Sequence, residues 1–146
     1  MAITSAICNS FKTEILTAVH NFTASTGNTF NLALYTSSAT LNKSTTAFSA
    51  TNEITNTSGT AYTTKGNALT SVTPVLSTDT AVCDFADTSW TSASFTANGC
   101  LIFNDTAPGD PACCAIAFGG DKTVSSGTFT IQFPTADSSD AIIRIA

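Results

Sequence analysis

The sequence predicts a mainly β protein: a two-sheet antiparallel sandwich, jelly-roll-like, with one N-terminal amphipathic α-helix over about residues 5–22. Three observations carry this. Apolar and polar residues alternate in short runs, most clearly Phe30, Leu32, Leu34 against Asn31, Ala33, Tyr35, and again at Phe129, Ile131, Phe133. Turn-forming clusters such as Ser58-Gly59, Asn98-Gly99 and Ser126-Gly127 separate the runs. Threonine and serine, 28 and 17 of 146 residues, are close to a third of the chain, and β-branched threonine suits a pleated strand whose outer face stays wet without charge.

Composition narrows the class further. Apolar residues make up 42%, too many for a disordered Ser/Thr tail, and the length suits one domain over residues 1–146. Charged residues are only 10% and the net charge is −5, so nucleic acid and anionic membrane are poor partners. The longest apolar run, residues 112–118, is far short of the roughly 18 residues of a membrane span. The N-terminal residues lack a basic region followed by an apolar one, so a reducing cytoplasm is the expected site of synthesis. Five cysteines (Cys8, Cys83, Cys100, Cys113, Cys114), an odd number, are then expected to be small buried thiols rather than a disulfide framework.

The helix is predicted from Ile7, Phe11, Ile15, Leu16, Val19 and Phe22, which recur at three- and four-residue steps. Thr4 or Ser5 can supply the N-cap oxygen, and the Ser25-Thr26-Gly27-Asn28 cluster stops the element. The stripe is expected to pack across the β core; its alternative use is as a docking helix. Strands are expected at 29–36, 68–75, 80–86, 94–103, 115–118, 128–133 and 141–145. Trp90 reads as a core or sheet-edge plug rather than a ligand platform.

Residues 39–64 are the least regular stretch: mostly polar, with isolated apolar residues. They read as a long surface loop anchored at a few points. Candidate partner contacts there are Asn42, Lys43, Phe48, Asn52, Glu53, Ile54 and Tyr62. On this reading, deleting residues 42–58 is expected to leave a folded domain that has lost its partner.

The residues offer no catalytic, cofactor-binding or metal-ligating set. His20 is the single histidine, placed by the predicted helix in its last turn, where the dipole favours positive charge. No GxSxG or comparable signature accompanies any serine. Adjacent Cys113 and Cys114 lack zinc spacing. Asp79, Asp84 and Asp87, Asp105 with Asp110, and Asp137 with Asp140 are acidic groupings, but none follows a DxDxDG pattern and turn capping accounts for them. Asn-x-Ser/Thr triplets begin at Asn21, Asn42, Asn56 and Asn104, as chance matches in so Asn- and Thr-rich a chain.

Several strings together carry a family resemblance. Residues 10–16 (Ser-Phe-Lys-Thr-Glu-Ile-Leu) leading to His20-Asn21-Phe22, then residues 32–41, 51–54, 84–90, 118–122, 129–133 with Pro134, and 142–145, resemble small structural proteins of tailed bacteriophages, cyanophages included. The resemblance covers most of the chain, and the cysteines depart from it. It implies a non-enzymatic virion protein: a capsid decoration or cement protein on the outside of the phage head, stabilising contacts between capsomers. The implied partners are the major capsid protein and further copies of this chain, as a dimer or trimer, with assembly in the host cytoplasm. The alternative is a tail or fibre module binding a host receptor or glycan.

Overall fold

The computed structural model describes residues 1–146. In chain order the elements are β1 (Ala6–Ile7), α1 (Asn9–Leu16), β2 (Phe30–Tyr35), β3 (Asn67–Ala68), β4 (Ser71–Ser77), β5 (Thr80–Phe85), β6 (Thr88–Asn104), β7 (Ala112–Ile131) and β8 (Ile143–Ile145). They form two antiparallel sheets, one ordered β1-β7-β6-β2-β3 and the other β4-β5-β8. The protein is mainly β, as the alternation and turn spacing predicted, and its two sheets are consistent with a sandwich around one contiguous core.

The helix is much shorter than the apolar stripe suggested. Before it, the chain is taken up by tertiary pairing: Ile3 bridges Leu41, and Ala6 and Ile7 pair with Ala115 and Cys114. Neither Thr4 nor Ser5 caps it. Cys8 holds the cap position without a side-chain bond, while the N–H groups of Cys8 and Asn9 donate to the carbonyls of Cys113 and Lys43. The helix ends at Leu16, where Thr17 donates its hydroxyl to the Glu14 carbonyl and Ala18 turns left-handed at φ 60°. His20 and Phe22 therefore reach the core from a loop, and only Phe11 of the helix itself is buried.

Strand β2 departs from the one-sided pattern, since all six residues are buried. Phe30 faces Phe85 of β5 across the sandwich, with ring centroids 5.8 Å apart. The opposite face, which carries Asn31 beside Phe103 of β6, is covered by residues 39–66, where Phe48 stacks on Phe103 at 4.7 Å. A strand in the middle of a layer covered on both sides needs no polar face.

The run expected at 68–75 is divided. β3 pairs with β2, whereas β4 belongs to the other sheet, so the chain changes sheets across Leu69 and Thr70. The expected strands at 115–118 and 128–133 are instead one strand, β7, hairpinned with β6. Three sequence turn signals, Asn98-Gly99, Gly119-Gly120-Asp121 and Ser126-Gly127, lie inside these strands, and the register slips between Ala93 and Phe95 and between Ala97 and Gly99. Glycine at 119 and 120 allows φ values of 77° and 148°, which a bulge can use as readily as a turn. At Gly99 the reason is space, because a Cβ would lie 2.6 Å from the Ile116 carbonyl oxygen.

Candidate functional site

Residues 39–66 form no strand, yet backbone hydrogen bonds stitch them to the body along their length. Leu41 exchanges bonds with Ala2 and Thr4; Thr46 and Phe48 bond Ala112 and Asp110; Asn52 and Ile54 bond Thr36 and Leu34. These are single bonds to different neighbours, not a ladder, which is why no periodic pattern marks them in the sequence.

A polar network locks the centre of the segment. Tyr62 Oη donates to Glu53 Oε1 at 2.7 Å and accepts the Leu34 N–H at 2.9 Å, joining the segment to β2. The Lys65 N–H donates to the same Glu53 oxygen at 2.6 Å. Burial pushes the Glu53 carboxyl above its ordinary range, and the bonds from Tyr62 and Lys65 oppose the shift in part. Burial, then the bond to Glu53, also raises the Tyr62 phenol. The Lys65 ammonium meets Asp105 Oδ1 and Asp110 Oδ2, each at 2.8 Å, and these bonds raise its pKa. The same ammonium sits 5.9 Å from the Phe48 ring centroid.

The seven predicted contact residues thus separate by burial. Lys43 and Asn52 are exposed, and Asn42 and Phe48 are half-buried. Glu53, Ile54 and Tyr62 are buried at 7%, 6% and 2% exposure and serve as anchors, so they present no surface to a partner in this conformation. The segment is a strap over β2, not a loop held at a few points. Cutting out residues 42–58 would uncover Phe103, leave the Leu34 carbonyl without its partner and remove Ile54 from the core, so that deletion is expected to destabilise the domain as well as any partner contact.

A second polar centre was not legible in the sequence. The His20 ring, buried beyond the helix rather than in its last turn, places Nε2 2.7 Å from Glu14 Oε2 and Nδ1 3.2 Å from Asn104 Nδ2. The Asn104 amide is oriented by its oxygen, which accepts the Thr106 and Ala107 N–H groups. Its NH2 group faces three acceptors, Asn28 Oδ1 at 3.0 Å, His20 Nδ1 at 3.2 Å and the Val19 carbonyl at 3.3 Å, while His20 Nε2 faces the Glu14 carboxylate. The helix-dipole account of His20 is replaced by these side-chain contacts to Glu14 and Asn104. The only signal for Asn104 was its place before Asp105 and Thr106, a turn-opening Asx position.

Cys113 Sγ lies 3.8 Å from His20 Nδ1, so thiol, imidazole and carboxylate stand in a row. The thiol is 0% exposed and burial pushes its pKa far up, which withholds the thiolate needed for nucleophilic chemistry. All five cysteines are free and buried; burial raises Cys8 to about 11 and Cys83 and Cys114 to about 12.

Asp105 and Asp110 do come together, with Lys65 between them. Asp137 accepts the N–H groups of Ser139 and Asp140, which hold its carboxyl below its ordinary value. No three His, Cys, Asp or Glu side chains converge as a metal site would require. Trp90 is a buried plug, 3% exposed, stacked on Tyr62 at 6.0 Å. An apolar cleft of about 560 Å³ runs between Ile7, Phe118, Ile131, Phe133 and Ile142. No helix is long and apolar enough to cross a membrane. No family model matches the chain, and no curated protein or solved structure is found to be similar to it.

Proposed function

We propose that the protein is a non-enzymatic structural component of a bacteriophage particle, a decoration or cement protein that binds the outside of the head and stabilises contacts between capsomers. The observation that supports this best is an outer strand surface rich in paired hydroxyls, on which Asp121 and Lys122 are the charged residues. Across β6 and β7, Ser89 pairs with Thr130 at 2.9 Å and Thr96 with Thr123 at 2.8 Å, and all four residues are exposed. Such pairs are already ordered, so pressing them against another protein costs less rotamer entropy than immobilising Lys or Glu. The resemblance to small phage structural proteins favours the same reading.

In this role the strap over β2 displays Lys43 and Asn52 to the major capsid protein. Further copies of the chain, as a dimer or trimer, multiply modest contacts over a symmetric shell. Quantitative mass spectrometry of purified particles tests the assignment. Hundreds of copies per particle are expected. A few dozen would replace it with a tail or fibre module that binds a host receptor or glycan, and complete absence would overturn both. Lys43→Glu, at an exposed side chain, should weaken sedimentation with capsids while leaving the thermal transition in place.

A further inference from the structure

The strap contains a buried carboxylate to which no cation is paired. Glu53 Oε1 takes both the Tyr62 O–H and the Lys65 N–H, whereas the Lys65 ammonium is spent on Asp105 and Asp110. The other titratable group against it is Tyr35 of β2, whose own O–H donates to the Ser49 carbonyl. The strap is also strained on either side of this carboxylate. Asn52, Ala61 and Lys65 adopt left-handed backbone at φ 63°, 58° and 73°, a region that non-glycine residues enter at a cost. Between Glu53 and Lys65, residues 55–64 form no helix or strand, and all but Tyr62 and the half-buried Thr60 are exposed. Their holds on the body are Tyr62 and one backbone bond from Ser94 to Thr60.

We infer that Glu53 is a proton-controlled latch: protonated, it holds residues 55–64 down through Tyr62, and ionised, it loosens them. A neutral carboxyl still accepts both bonds and carries no charge into the buried site. An ionised one must stay there without a counter-ion or move toward water, and moving releases Tyr62. The raised pKa of Glu53 fixes the direction. A group raised in the closed state contributes fully below its open-state value and loses that contribution as pH rises through the closed-state value. The latch is therefore tight in acid and loosens on going toward neutral pH. The inference does not rest on the capsid reading, since every measurement of it uses the isolated chain.

The molecule carries its own reporter. Trp90, the single tryptophan, stacks on Tyr62 and is buried, so opening of the strap exposes it. Tryptophan emission followed from about pH 4 to about pH 8 should shift to the red in the wild type. Amide exchange at Leu34 and Lys65, corrected for intrinsic rates, should give an opening constant that rises by up to about tenfold per pH unit and then levels. Glu53→Gln keeps the acceptor and removes the titration, so both signals should become flat. Tyr62→Phe removes the bond through which the latch acts, so the Trp90 emission should no longer follow the Glu53 titration. Asp87→Asn, which removes an acid three residues from Trp90, should leave the transition in place. A flat wild type, an unchanged transition in Glu53→Gln, or its loss in Asp87→Asn would overturn the latch.

Discussion

The two faces of the β2–β6 layer are covered in opposite ways. On one, strands β2 and β5 and the loop after α1 bring aromatic rings together: Phe30 lies flat on Phe22, with centroids 4.2 Å apart and planes 4° from parallel, and Phe85 closes the cluster from β5. On the other, an irregular strap covers Ala33, Tyr35 and Phe103 and fixes itself with Glu53, Tyr62 and Lys65. Paired strands satisfy their backbone groups within a ladder, so their cover can be wholly apolar. A strap must satisfy each group separately, and its polar fixings bring ionisable side chains into the structure. Rigidity should therefore reside in the first face and response to conditions in the second.

The strongest way to break the comparison is Phe30→Ala. Phe30 is 0% exposed and touches three other rings, so truncation should cost about 3–5 kcal/mol and lower the urea midpoint steeply. A loss no larger than that of a surface substitution would show that the aromatic face does not dominate stability.

This division also explains what the sequence could reveal. Period-two alternation marked β2, and an apolar run marked the start of β7, because ladders repeat and repeats leave a pattern. The division of 68–75 between two sheets was hidden, since Leu69 and Thr70 change sheet without glycine or proline to mark the corner. Gly119-Gly120 read as a turn because the same positive φ serves a bulge, and only the partner strand decides between them. At the helix, the apolar spacing of Val19 and Phe22 was real, but a loop buries His20 and Phe22 instead. Ile54 and Tyr62 showed as isolated apolar residues in a polar stretch, as anchors do, but the role of Glu53 left no local trace, because its partners Tyr62 and Lys65 are set by tertiary contact.

Next in size is Asn104→Ala, which tests whether the first face also has a polar hub. The side chain is fully buried and bonds Thr106, Ala107, Asn28, Val19 and His20. Leaving several of those groups unpaired should cost about 2–3 kcal/mol. Phe48→Ala makes the matching test on the strap. Phe48 is half-buried and stacks on a single ring, so a loss of about 1–2 kcal/mol is expected, measured by the same denaturation. A larger loss from Phe48 than from Asn104 would reverse the ranking of the two faces.

The smallest effect is the sharpest test of how the strap is held. Lys65 bonds two aspartates, but its side chain is 38% exposed and theirs are 32% and 25%, so solvent screens both pairs. Lys65→Met keeps most of the aliphatic stem over Phe48 and removes the charge, leaving Asp105 and Asp110 without a cation between them. The expected cost is about 1 kcal/mol or less at low salt, and it should shrink near 1 M salt, where the screening length falls to about 3 Å. Its pH dependence should also differ from that of Glu53. The lysine pKa is raised, so its contribution is complete below the ordinary lysine value and is lost only as pH climbs past the raised one. Around neutral pH, Lys65→Met and wild type should therefore differ by a constant amount, while Glu53→Gln and wild type diverge as pH rises from acid. A Lys65→Met cost above about 2 kcal/mol that salt does not reduce would mean that ion pairs, not the buried anchors, hold the strap to β2.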